Sequence, residues 1–163
     1  MPKTIELSTI GHVKGGRSDL HDDAWGSVES TINLDRRQFD DGALEGLEAF
    51  SHLEIVFILD RVEPETVERG SRHPRGRTDW PSVGILAQRA KRRPNRLAVS
   101  RCRLLEIDGW RLHVADLDAV DETPILDVKP YMREFGPRGP VEQPEWSHAL
   151  MTNYYEDSTD EED

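Results

Sequence analysis

Apolar and polar positions alternate with a period of two over much of the chain, the pattern of strands with one buried face. Val28, Ser30 and Ile32 interleave with Glu29, Thr31 and Asn33, and Leu112 to Asp118 alternates in the same way. Ile5-Leu7-Thr9 and Ile10-His12 do so more weakly. Leu53 to Leu59 is the most hydrophobic run and reads as an interior strand bounded by Asp60-Arg61. Between Val83 and Ser100, two apolar runs read as strands on either side of a basic loop that Pro94-Asn95 breaks. Leu97, Val99, Leu104 and Ile107 read as ordinary strand packing. A further strand closes at Ala115 to Asp118, turns through Asp121-Glu122-Thr123-Pro124, resumes at Ile125 and ends at Lys129-Pro130-Tyr131. Helical signals are few: a short turn within Asp35 to Leu47, and one short helix over Glu145 to Met151 led by Pro144. Val62 to Ser82 has no period and is rich in Pro, Gly and Arg, which predicts a long loop, either an arginine-bearing flap or a segment without function.

The pattern therefore predicts a mainly β protein of one domain over residues 1–150, followed by an unstructured acidic tail over 151–163. With 163 residues and 36% hydrophobic content, the chain is long enough for one real core and short for two. Its single cysteine, Cys102, lies in a strand pattern; it excludes an internal disulfide and predicts a buried thiol in a reducing compartment. No run approaches the roughly 18 apolar residues of a membrane helix, and the start of the chain lacks a signal-peptide core, so the expectation is a soluble, cytoplasmic protein.

Charge sharpens this picture. The formal net charge is −11, yet Arg69 to Arg103 holds eleven of the 21 basic residues against one acid, Asp79. That block carries +10 and the remainder −21. Such asymmetry is the footprint of a phosphate-binding face, and it nominates Arg72, Arg75, Arg77, Lys91, Arg92, Arg93 and Arg96 as nucleic-acid contacts. An exposed, solvated loop is the alternative. Arg93-Pro94-Asn95 pairs a fixed φ with a side chain that bonds its own backbone or a ligand edge, so this loop arrives pre-shaped. Other chemistries lack their signals: no GxGxxG follows a strand, no Cys/His set has zinc spacing, and no GxSxG is present. No metal and no membrane partner are expected.

Four segments in order, FSHL (50–53), RPN (93–95), LAVS (97–100) and DETPILDVKPY (121–131), give the chain a family resemblance. They resemble the TrmO family of tRNA N6-threonylcarbamoyladenosine methyltransferases, whose members read FSHLW, ATRSPxRPNPIGLS and DGTPVLDIKPY at similar spacing. The resemblance spans roughly residues 5–135 and implies a small antiparallel β-barrel that binds S-adenosylmethionine and acts on tRNA as a homodimer. It implies cofactor contacts at Trp25, Gly26, Asp60, Arg61, Arg89, Val99 and Ala115-Asp116-Leu117-Asp118. Trp25 either lies along an adenine ring or caps the edge of the core. Asp118 and Asp127 are candidate proton acceptors, with Asn95 or Tyr131 orienting the base, while Asp127 and Lys129 form a structural ion pair in the alternative reading. His52 is either a hydrogen-bonded structural residue or a general base. The chain departs from the family pattern at Asp60-Arg61, Arg96, Ala98 and Glu122, which stand for His-Gln, Pro, Gly and Gly. These departures leave open a methyltransferase acting on another RNA or a small molecule, or a non-catalytic S-adenosylmethionine-binding module.

Overall fold

In the computed structural model, which describes residues 1–157, six strands close into an antiparallel barrel. These are β1 (Gly11–Lys14), β2 (Glu29–Leu34), β3 (His52–Ile58), β6 (Leu97–Asp108), β7 (Arg111–Ala115) and β8 (Pro124–Pro130). Around the barrel they run β1, β2, β7, β6, β3, β8 and back to β1. Two short strands, β4 (Ser71–Arg72) and β5 (Val83–Gly84), form a separate hairpin, and one helix, α1 (Glu145–Met151), follows the barrel. Closure pairs each of the six barrel strands on both sides, which suits a small β domain.

Inward positions obey the period of two. Val13, Ile32, Leu53, Ile55, Phe57, Cys102, Leu112, Val114 and Ile125 fill the barrel, with Leu117 and Ala119 from the segment after β7. β3 is the central stave: it pairs with β6 along its whole length and with β8 from Leu53 to Phe57. Two register shifts adjust the curvature, at Val56/Phe57 in β3 against β8 and at Leu104/Glu106 in β6 against β7. The second leaves Leu105 unpaired and turned outward.

The predicted strands are present with shifted ends. β1 begins only at Gly11, so Ile5-Leu7-Thr9 lies outside the sheet. Asp35 to Leu47 contains no α-helix but two 3-10 turns nearby, Arg36–Gln38 and Leu47–Ala49. The helix is Glu145–Met151 with Pro144 as its cap, as the pattern predicts. The predicted loop Val62 to Ser82 is more ordered than its composition suggests. It holds 3-10 turns at Pro64–Thr66 and Pro74–Gly76 and the β4 strand, and the buried Gln88 amide donates to Arg72 O (3.0 Å) and Val83 O (2.9 Å), clamping β4 to β5. This buried amide works beside two buried apolar residues, Pro74 and Ile85.

Residues 151–157, assigned by composition to the acidic tail, lie against the barrel. The amides of Ala24, Trp25 and Gly26 donate to the carbonyls of Asn153 (3.0 Å), Tyr154 (2.9 Å) and Glu156 (3.0 Å), and Gly26 bridges Asp157 in parallel. Residues 158–163, the rest of that predicted tail, are outside the described residues. No helix among the described residues is long and apolar enough to cross a membrane.

Candidate active site

One mouth of the barrel gathers the sequence-singled loops. Ile58 at the end of β3 pairs with Leu97 at the start of β6, and β8 begins at Pro124 opposite His12 of β1. The segments leading in and out here are therefore Leu59–Val62, Arg89–Arg96, Asp118–Thr123 and Arg17–Trp25. A cleft of about 90 Å³ lies among them, lined by Trp25, Phe57, Leu59, Asp60, Arg61, Lys91, Asp118 and Thr123 among others. Its walls are mostly apolar with a few converging charges, the make-up of a small-molecule site.

The charges are held by the loops themselves. Arg61 donates to the carbonyls of Ser18 (2.9 Å) and Asp121 (3.1 Å), tying two loops across the mouth. Lys91 pairs with Asp22 at 2.5 Å. Asp118 accepts from the Tyr154 hydroxyl through Oδ2, whereas its Oδ1 is buried with no hydrogen-bond partner among the described residues. A buried carboxylate oxygen without a donor carries a full desolvation cost, so a donor supplied from outside is favoured there.

Near the cleft, the backbone is left-handed at three non-glycine positions, two of them in contact. Ala24 (φ 62°), Ser27 (φ 59°) and Asp116 (φ 70°) adopt left-handed conformations rare outside glycine. Asp116 is locked there: Oδ1 accepts from Ser27 N (2.8 Å), Oδ2 from Arg103 Nε (2.6 Å), and its own amide donates to Val28 O (3.0 Å). Although burial opposes ionisation, the Arg103 and Ser27 bonds bring the Asp116 carboxyl below its ordinary value. Glu122, where the family pattern has glycine, is also left-handed (φ 69°) and pairs with Lys14.

Of the predicted cofactor residues, Trp25, Asp60, Arg61 and Asp118 line the one cleft. The others do not. Trp25 itself is buried beneath the Arg17 guanidinium, 3.5 Å from the ring centroid, so one face is already covered. A side-chain carbon at Gly26 would come within 2.2 Å of Tyr155 O, so its space is taken by the chain's own C-terminal segment. Arg89 reaches Val99 O at 2.9 Å, which joins those two residues outside the cleft lining. Ala115 and Leu117 are buried, and Asp116 is fully engaged.

The predicted catalytic set is not brought together within one chain. Only Asp118 is in the cleft. Asp127 pairs with Lys129 at 2.8 Å on the outer face of β8, the structural alternative. Tyr131 follows Pro130, which pairs with Leu53 at the opposite end of β3, and its ring lies under Arg101. At ~3.3 Å per residue, β3 separates it from the cleft by about 20 Å. Asn95 is exposed at φ 62°, a backbone position that asparagine tolerates, so its local role is to shape the loop. His52 is exposed near Tyr131 and meets the Ser51 hydroxyl at 2.7 Å, far from the cleft.

Most of the predicted nucleic-acid residues already have partners. Arg75 forms a two-pronged pair with Asp23 (2.8 and 3.0 Å), Arg77 pairs with Asp79 over Trp80, and Lys91 pairs with Asp22. Arg93 and Arg96 donate to the carbonyls of Gln88 (2.6 Å) and Val62 (2.7 Å). Arg72 is half-buried, with an unpartnered Nε. Arg92 is exposed, and its side chain engages no described residue. Lys91 nevertheless joins the basic loop to the cleft, so rim and carboxylate share one mouth. Tyr154 was not singled out by any motif; the signal is the aromatic pair Tyr154-Tyr155 interrupting an otherwise polar, acidic run. Among the described residues no group of three His, Cys, Asp or Glu is placed to hold a metal.

The molecule is thus a closed antiparallel barrel with a carboxylate-bearing cleft at one mouth and a basic loop beside it, its candidate site carried by the strand-end loops. The chain belongs to the tRNA-methyltransferase O N-terminal domain family, whose model matches residues 22–136. It is 35% identical over 116 residues to a probable S-adenosyl-L-methionine-binding protein of Methanothermobacter thermautotrophicus, covering 69% of this chain and 77% of that one. It is 27% identical over 117 residues to the human tRNA (adenine(37)-N6)-methyltransferase, covering 72% of this chain but only 26% of the human one. The crystal structure of TrmO from Pseudomonas aeruginosa has the same fold, with a TM-score of 0.69 at 24% identity over 90% of this chain and 63% of that chain. The TrmO resemblance and the antiparallel barrel are thus both borne out.

Proposed function

We propose that this barrel binds S-adenosylmethionine in the Asp118 cleft and serves methyl transfer to N6 of an adenosine beside the anticodon of tRNA, with the threonylcarbamoylated base as acceptor. The observation that carries the reading is the buried, donor-less Oδ1 of Asp118 in an apolar cleft whose rim includes Lys91. Relatives named as S-adenosylmethionine-binding proteins and as a tRNA adenine methyltransferase support it.

The donor set fits such a cofactor. Trp25, Phe57 and Leu59 provide apolar walls, and Asp118 provides an acceptor for an amino or hydroxyl group and a counter-charge for a sulfonium. S-adenosylmethionine, when bound, supplies an electrophilic methyl group. Because its positive charge fades as the methyl departs, Asp118 strengthens binding more than it lowers the barrier. The chain's larger contribution is positioning, which contributes roughly 7 to 11 kcal/mol at its extreme. A cleft of about 90 Å³ is well short of the ~300 Å³ at the lower end of ligand pockets. This favours completion by a second copy, and Leu86, Leu97, Val99 and Tyr155 are exposed near Arg89 to meet one.

Calorimetry with S-adenosylmethionine, followed by labelled-methyl transfer to total tRNA and nucleoside analysis, tests the reading. Binding with methylated threonylcarbamoyladenosine as product supports it; no uptake at millimolar cofactor removes it. A second reading, a module for a smaller substrate or for binding alone, is favoured by the number of basic residues already paired internally. Cofactor binding without transfer to any tRNA selects that reading.

A further inference from the structure

The C-terminal segment brings a side chain against the carboxylate of the proposed site. Asn153 to Asp157 runs beside the Ala24–Ser27 loop, joined by the three main-chain hydrogen bonds to Ala24, Trp25 and Gly26 and by Ser27 Oγ donating to Asp157 Oδ1 at 2.7 Å. Gly26 leaves room for this path, since any side-chain carbon there would collide with Tyr155 O. Tyr154, so placed, is mostly buried, meets the Tyr155 ring edge-on at 5.0 Å, and donates its hydroxyl to Asp118 Oδ2. That bond fixes the carboxylate rotamer. The other oxygen, Oδ1, is thereby left buried and unpartnered on a residue that lines the cleft.

We propose that Tyr154 is a positioning residue of the cleft: it holds Asp118 so that Oδ1 is presented to a donor on the bound nucleoside, making the C-terminal segment a support behind the site. This rests on the reading of the cleft as an S-adenosylmethionine site. Tyr154 acts through Asp118 and touches no reacting atom. Burial, then the Asp118 charge, pushes the Tyr154 phenol far above its ordinary value, so the hydroxyl remains a donor throughout the working pH range.

The experiment measures S-adenosylmethionine affinity by calorimetry on the full chain. Tyr154→Phe keeps the ring, its contact with Tyr155 and the main-chain bonds, and removes only the donor. It should bind about tenfold more weakly, the scale expected for a hydrogen bond to a charged group, with a lowered melting midpoint because Asp118 Oδ2 loses its donor, and with maximal turnover at saturating cofactor little changed. Added to Asp118→Asn, it should cause no further loss. Gly26→Ala, which displaces the C-terminal segment and leaves the Tyr154 side chain itself intact, should weaken binding in the same way. Binding by Tyr154→Phe within twofold of wild type, or additive losses with Asp118→Asn, overturns the inference while leaving the cofactor reading standing. Tighter binding by either Tyr154→Phe or Gly26→Ala also overturns it, because the segment is then a plug. A wild-type chain that takes up no S-adenosylmethionine overturns the cofactor reading and this inference together.

Discussion

Asn95 shows how one residue type serves backbone before chemistry. Its φ of 62° follows Pro94, whose ring fixes the preceding turn, and the two set the direction in which Arg93 and Arg96 reach their carbonyls. Asn95→Gly should therefore leave stability within ~0.5 kcal/mol, and Asn95→Val should lower it by about 1 to 2 kcal/mol, as urea unfolding would report. Equal effects from both would mean that the side chain and not the backbone is what matters. Cys102 is the opposite case, a side chain defined by its surroundings. Burial first, and the Asp116 and Asp118 charges second, push its thiol up to about 12. The native chain should resist an aromatic disulfide reagent at pH 8 and react fully once unfolded. Residues of this kind were legible in the sequence because Cys102 alternates in phase with its strand. At Asn95 the sequence suggests a group that orients a base, because a left-handed φ leaves no trace in composition.

At the scale of elements, the β4–β5 hairpin is clamped by one buried amide beside the buried Pro74 and Ile85. Gln88→Ala would leave the carbonyls of Arg72 and Val83 without their donor, costing about 2 kcal/mol, and trypsin should then cut between Arg69 and Arg77 faster than in wild type. The C-terminal segment gives a pH-dependent test. Tyr154 and Tyr155 are both raised above 10.0 by burial and the Asp118 charge, and Cys102 is raised above 9.0. In the unfolded chain these groups lose their protons at their ordinary values while the folded chain keeps them. Their stabilisation is thus complete below pH 9 and declines as pH climbs, first from Cys102 and from pH 10 also from the tyrosines. The melting midpoint of wild type should fall over pH 9–11, and Tyr154→Phe should flatten the part above 10. The barrel strands and α1 were legible because their periodicity and their Pro and Gly boundaries are local. The hairpin and the C-terminal segment were not, because the first is clamped by a buried amide and the second is held by main-chain and side-chain hydrogen bonds to residues far away in sequence, neither of which any period reveals.

For the molecule as a whole, the question is how a chain of net charge −11 would hold a polyanion. The basic block is real as sequence, but ion pairs with Asp22, Asp23 and Asp79 already absorb Lys91, Arg75 and Arg77, and Arg93 and Arg96 point into the loop. A side chain paired with a fixed carboxylate releases few counterions when a phosphate arrives, since it exchanges one anion for another. Salt dependence should therefore follow the unengaged cations. For tRNA binding measured by fluorescence anisotropy between 50 and 200 mM salt, Arg92→Ala should reduce the log–log slope by about 0.7 to 0.9, one phosphate contact. Arg75→Ala should leave the slope unchanged, because Asp23 takes up its charge, while lowering stability through the buried part of that pair. A slope that falls equally in both variants would mean that the Asp23 pair opens on binding, so that the rim becomes basic only when the nucleic acid is present.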